Sequence, residues 1–218
     1  MKNRKLLTLF SILCLQFSIA QEIVSDTINI KKEKKHERFY IESGIHIPLD
    51  NLSKVIQPSP QIGFWYRSEF QKDNFVELGF NVFIPIKKEA FVFNIPDTLI
   101  KSDPKGASGM VGFRFNKIYQ PFYNKSISLE WNSSFGYAFF LYDANYHRYL
   151  NQLQSETETN KPYSRAFSTI HTGMGFKINY KNTGFQAHYQ WTPYALFSDY
   201  IDENFGSQAL QIGIFYRQ

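Results

Sequence analysis

The sequence predicts an all-β fold, an eight-stranded antiparallel up-and-down transmembrane β-barrel, and three observations predict it. Eight segments alternate apolar and polar residues with period two, which places each apolar set on one face of a strand. The connections between them alternate between short and long. The face opposite the apolar one carries glycines mixed with a few charged residues, the make-up of a narrow polar interior.

The first segment places Phe39, Ile41, Ile45, Ile47 and Leu49 on one face, and the second Ile62, Phe64, Tyr66 and Phe70. The third, FVELGFNVFIPI from Phe75 to Ile86, alternates without a break through Val76, Leu78, Phe80, Val82, Ile84 and Ile86. Val111, Phe113 and Phe115 mark the fourth; Ile127, Leu129, Trp131, Phe135, Tyr137, Phe139 and Leu141 the fifth. Ile170, Met174, Phe176, Ile178 and Tyr180 mark the sixth, Phe185, Ala187, Tyr189 and Trp191 the seventh, and Leu210, Ile212, Ile214 and Tyr216 the eighth. A strand of about twelve residues, rising roughly 3.3 Å each at a tilt of about 40°, spans about 28 Å, enough to cross a hydrocarbon core.

Asp50 to Pro60, Lys87 to Lys105, Asp143 to Tyr163 and Ala195 to Gly206 are long connections. Gln71 to Asn74 and Lys181 to Gly184 are short, and Lys117 to Lys125 is intermediate. Outer-membrane barrels have short periplasmic turns, long external loops and an even strand number. Residues paired across a hairpin share a face, so parity constrains the turns. The second and third segments point even positions to the apolar face, which fits a three-residue loop Lys72-Asp73-Asn74 and sets Glu69 opposite Glu77. The sixth and seventh differ in parity, which fits a two-residue loop such as Asn182-Thr183.

A secreted soluble barrel turns its apolar face inward, whereas a membrane barrel turns it to lipid. The opposite face decides for lipid: it holds Gly44, Gly63, Gly79, Gly112, Gly136, Gly173, Gly175 and Gly213, with Glu42, Arg67, Glu69, Glu77, Arg114, Glu130 and Lys177 between them. These charges, with His171 and His188, form a predicted polar network that closes the lumen, because eight strands enclose just enough space for their own side chains. Tyr66, Trp131, Tyr137, Tyr180, Trp191 and Tyr216 supply aromatic girdles.

The first 20 residues form a secretory signal peptide: Lys2, Arg4 and Lys5 precede the apolar run Leu6 to Leu15 and the small-residue site Ser18-Ile19-Ala20. The net charge of +5 is mostly targeting, since losing those three cations from 24 leaves 21 against 19 acidic residues, a net of +2. Nucleic acid is therefore not a predicted partner. The single cysteine, Cys14, lies inside the signal, and no later run is long enough for a membrane-spanning helix. Residues 21–38, ending in KKEKKHER, read as a polar periplasmic arm before a barrel of residues 39–218.

The signal peptide, eight alternating strands and alternating loop lengths resemble the small outer-membrane β-barrel family of the OmpA or OmpX kind, particularly the outer-membrane β-barrel domain proteins of Bacteroidota. The resemblance covers Phe39 to Gln218 and is one of architecture rather than motif. It implies the outer membrane of a Gram-negative bacterium, reached through the Sec pathway, with outer-membrane lipid as surroundings. The chain departs from the family at its end, where Phe215 and Tyr216 are followed by Arg217 and Gln218 instead of a terminal aromatic residue.

His46, His171 and His188 fall on the lumen face without HExxH or paired-cysteine spacing, so hydrogen-bonded imidazoles, no metal and no cofactor are expected. Glu69 and Glu77 form a potential acid-base pair, read instead as charges compensated by Arg67 or Arg114. The rim candidates Asp143, His147, Ser155, Asp199 and Asp202 form no recognisable nucleophile and base constellation. In the external loop Asp143 to Tyr163, the residues Tyr146, His147, Arg148, Tyr149 and Tyr163 suit a contact surface. The expected function is a non-porin barrel with a structural or interaction role, alone or as a subunit of a larger outer-membrane complex, contacting lipid and other outer-membrane or periplasmic proteins. Two alternatives stand beside it: a barrel enzyme acting on outer-membrane lipid or peptide, and a binder of small apolar ligands at the outer mouth.

Overall fold

The computed structural model describes residues 38–95, 98–120, 126–143, 164–198, 201 and 205–218. The expected signal peptide and the expected polar arm, up to residue 37, lie outside them. Eight strands form the barrel wall: β1 (Arg38–Pro48), β3 (Ser59–Gln71), β4 (Asn74–Phe83), β8 (Ser108–Tyr119), β9 (Ile127–Asp143), β10 (Ser164–Tyr180), β11 (Thr183–Trp191) and β12 (Gln208–Arg217). They close in the order β1-β12-β11-β10-β9-β8-β4-β3, with every pairing antiparallel. Four short strands lie in the long connections: β2 (Ile56–Gln57) pairs with β5 (Ile86–Lys87), and β6 (Phe91–Ile95) with β7 (Thr98–Ser102). Tight turns and both strand termini gather at one end, the turn end; the long connections gather at the other, the loop end.

Period two settles which side each residue takes. Phe39, Phe80, Phe113, Trp131, Ile178 and Ile214 lie on the outer wall and are exposed, Ile214 to 66%, whereas Glu42, Arg67, Glu77, Arg114, Glu130 and Lys177 are buried inside. An uninterrupted belt of exposed apolar side chains around a polar interior has no stable place in water, so the barrel spans a membrane. Phe80→Lys is expected to lower stability in vesicles by roughly 2–4 kcal/mol, read by denaturant titration. Lysine at the inward Gly79, where even a Cβ would lie 2.8–2.9 Å from Trp65, should damage assembly by crowding. Equal tolerance at both positions would overturn the assignment of faces.

Both tight turns keep the expected parity but not the expected register. Arg67, not Glu69, faces Glu77, and Glu69 stands across from Phe75. The cause is an irregularity between Glu69 and Gln71, which lets Lys72-Asp73 close a two-residue turn with Asp73 at φ 62, a left-handed conformation that aspartate tolerates. Likewise Tyr180 pairs with Thr183 and Lys181-Asn182 makes the turn, with Lys181 at φ 51. The alternating run from Phe75 to Ile86 is not one strand either. β4 ends at Phe83, Pro85 offers no N–H to a ladder, and Ile86 belongs to β5. β9 and β10 are 17 residues each and pair up to Asp143 and Ser164, beyond the last β8–β9 rung at Gly109 and Phe139 and the last β10–β11 rung at Thr172 and Trp191.

Candidate functional site

The lumen is built in layers, each from inward positions of several strands. Nearest the turn end, the Arg67 guanidinium from β3 donates two parallel hydrogen bonds to the two oxygens of the Glu130 carboxylate of β9, each 3.1 Å, and reaches Glu77 of β4 at 3.3 Å. Arg217 of β12 also donates to Glu130, at 3.2 Å, and to Asn179. Lys177 of β10 lies 3.0 Å from Glu77 and 3.6 Å from Glu42, and Arg114 of β8 bonds Glu42 at 2.5 Å. The cations also lie against rings: Arg67 is 3.7 Å from the Phe75 centroid, and Arg114 is 3.7 Å from that of Trp65. Arg67 also donates to the Tyr40 hydroxyl, whose ring lies tilted against Phe215 with centroids 5.7 Å apart. Charge-assisted bonds between buried partners, forked at Arg67–Glu130, hold the three carboxylates and four cations in one geometry.

Above the charges sits a neutral layer. Ser134 Oγ lies 2.8 Å from His171 Nε2 and 2.9 Å from His188 Nε2, and His188 Nδ1 lies 2.7 Å from Asn132 Oδ1. The amide oxygen of Asn132 accepts only, so His188 carries its proton on Nδ1 and accepts the Ser134 hydroxyl at Nε2. Ser134 has a single proton, so His171 donates from Nε2. Gly173 makes this possible, because a Cβ there would stand 2.6 Å from His188 Nε2 and 2.9 Å from Ser134 Oγ.

A third layer relays donors toward the loop end. Trp65 Nε1–H donates to Asn81 Oδ1 at 3.1 Å, Asn81 Nδ2 to Gln211 Oε1 at 3.1 Å, and Gln211 Nε2 to Gln190 Oε1 at 2.8 Å. His46, stacked on Phe83 with centroids 4.0 Å apart, ends this row beside Gln190. Over it lies a cavity of about 10 Å³, room for roughly one water, between the amides and an apolar lid.

That lid is a small core made by the long connections together with the loop-end extensions of β9 and β10. Phe91 from β6 is buried with ring centroids 5.1–6.3 Å from Phe205, Tyr142, Phe167 and Phe140. Leu52, Val55, Ile56, Tyr194 and Ile201 complete it. Burial pushes the Tyr194 hydroxyl well above its ordinary pKa, so it stays neutral.

Of the residues singled out in the sequence, Glu42, Arg67, Glu77, Arg114, Glu130 and Lys177 meet in the charged layer, and His171 and His188 in the neutral one. Glu69 is set apart from Glu77 by the register described above, and Asp143 lies 3.3 Å from Lys105. Tyr146, His147, Arg148, Tyr149, Ser155, Tyr163, Asp199 and Asp202 lie outside the described residues. Among the described residues, no group of three or more His, Cys, Asp or Glu side chains could hold a metal. Sequence reasoning missed Arg217, Tyr40 and Trp65, whose parity alone would have placed them inside. It also missed the lid, signalled by FFLY at residues 139–142, where apolar residues occupy both faces and alternation fails.

No family model matches the chain, and no curated protein matches it. Among solved structures, the chain is similar to Ail, the attachment invasion locus protein of Yersinia pestis, in complex with the heparin analogue sucrose octasulfate: 18% identity over 85% of this chain and 100% of that one, with a TM-score of 0.45. It is similar to the N-terminal β-barrel domain of Pseudomonas aeruginosa OprF at 10% identity, covering 85% of this chain and 100% of that one, with a TM-score of 0.43. The structure of Ail in a phospholipid bilayer nanodisc gives 16% identity over 84% and 100% of the two chains, with a TM-score of 0.38.

Proposed function

We propose that the protein is a non-porin barrel of a Gram-negative outer membrane, exported by the Sec pathway, whose role is structural or interactive, alone or as one subunit of a larger outer-membrane complex. The observation that carries this reading is the double closure of the lumen, by the Arg67–Glu130–Glu77–Lys177 network below and the Phe91 lid above. With its interior filled, the barrel offers partners only its surfaces. The turn end, with residues 21–38 leading into it, faces the periplasm in this reading, and the loop end faces outward with Tyr146, His147, Arg148, Tyr149 and Tyr163 as contact residues. Purified barrel in planar bilayers is expected to carry no sustained current, and a steady conductance would remove the non-porin assignment. In gentle-detergent purification a stoichiometric partner protein would establish the complex, and its absence would favour a free barrel. Deleting residues 22–38 and residues 145–161 separately would tell a periplasmic contact from an external one. Recovery of the mature chain as a soluble periplasmic protein would overturn the whole reading.

A second reading, a barrel enzyme, is favoured by one observation: Ser134, His188 and Asn132 stand at the distances of a nucleophile, a base and the group that orients it. All three are buried between the charged layer and the lid, which is why it ranks second. A fluorophosphonate that bonded Ser134 Oγ with release of fluoride, and failed to label Ser134→Ala, would promote it.

A further inference from the structure

The outer wall carries one charge that the lipid belt does not explain. Among the described residues at outward positions of the eight barrel strands, Lys117 is the only cation, and the only acid is Asp143 at the opposite end, which pairs with Lys105. Lys117 is exposed on β8 near the turn end, directly across from Trp131 on β9 and from Asn74 on β4. Its Nζ lies 5.5 Å from the Tyr119 ring centroid. The neighbouring Lys72-Asp73 turn is tied to β8 by the bond from Ile118 N–H to the Asp73 carbonyl, 2.8 Å. This brings a second exposed ammonium close by, and Lys72, Asp73 and Lys117 together leave a net positive charge.

A lysine on a lipid-facing position lowers its cost by running its apolar stem along the wall and its ammonium to the nearest phosphate. We infer that Lys117 anchors the phosphate of a glycerophospholipid in the leaflet at the turn end, with Tyr119 against the ammonium and Trp131 at headgroup depth. The inference rests on the membrane-barrel reading above and adds to it a defined lipid site. Below Lys117, Phe115 and Phe113 continue the outward face of β8, and across from Phe115 stands the small Ser133, which leaves room beside the Trp131 ring for an acyl chain.

The test uses the mature barrel with ¹⁵N-labelled lysines in vesicles of phosphatidylethanolamine and phosphatidylglycerol, and measures ¹⁵N–³¹P dipolar dephasing by solid-state NMR. Lys117→Gln identifies the Lys117 signal, and heat-modifiable gel mobility establishes that both proteins are folded. The Lys117 ammonium is expected to be dephased by phosphorus at ion-pair range, with N to O within about 4 Å. A folded, inserted barrel whose Lys117 signal shows no dephasing overturns the lipid site and leaves the membrane reading standing. A chain that does not insert into the vesicles overturns both. If Lys117→Gln misfolds, Lys117→Arg keeps the cation and, by removing one lysine signal, identifies the Lys117 ammonium whose dephasing is then read in the unsubstituted barrel.

Discussion

Glu77→Ala is expected to destabilise the barrel by about 3–5 kcal/mol, the cost of leaving buried charges without their partner. Glu77 lies within 4 Å of three cations, Lys177 at 3.0 Å, Arg67 at 3.3 Å and Arg114 at 3.8 Å, and its side chain is fully buried. Arg67 and Arg114 retain Glu130 and Glu42, so the most exposed loss falls on Lys177, whose remaining carboxylates are 3.6 and 4.0 Å away. The second change Lys177→Met in the Glu77→Ala background should therefore recover a large part of the loss, because it removes the orphaned charge while keeping an unbranched stem. Urea unfolding from vesicles, followed by the barrel's gel mobility, reads both steps. If Glu77→Ala costs less than about 1 kcal/mol, as exposed pairs do, the lumen is wet enough to screen its charges and the sealed network is wrong.

Phe91→Ala should act on a different part of the molecule. Truncating a buried phenylalanine costs about 3–5 kcal/mol through lost burial and the cavity left behind. Phe91 belongs to the lid, which sits on the barrel mouth and not in its wall, so the loss is expected as local opening. Amide exchange in β6 and β7 should accelerate by roughly a hundredfold to a few thousandfold, since each 1.4 kcal/mol is a factor of ten, while β1, β11 and β12 keep their protection. Benzene, filling the space between Phe140, Tyr142, Phe167 and Phe205, should restore part of the protection. Equal acceleration throughout the barrel strands would show that lid and wall open as one unit.

The arrangement of the wall was legible because a barrel strand obeys the simplest rule in protein sequence. Period two assigns the alternating strand residues between Phe39 and Tyr216 to one of two faces, and the assignment survives any register error of two residues. Thus Arg67, Arg114 and Lys177 were placed inside with Glu42, Glu77 and Glu130 even though the turns at Asp73 and Lys181 were each displaced.

Pairing within the lumen was not legible, because which carboxylate meets which cation depends on register, and register is decided by a bulge near Phe70 and two left-handed turn residues. That shift replaced a repulsive Glu69–Glu77 opposition with an attractive Arg67–Glu77 one. The lid was hidden for a further reason. Phe91, Phe140, Phe167, Tyr194 and Phe205 come from four separate stretches of chain, and only closure of the barrel brings their ends together over one mouth. What the sequence determined by itself was therefore the face each strand residue takes, a local consequence of the pleat. What only the tertiary structure decided was which residues meet across the lumen and above it, because those contacts join residues far apart in the chain, such as His46 and Gln190, 144 positions apart.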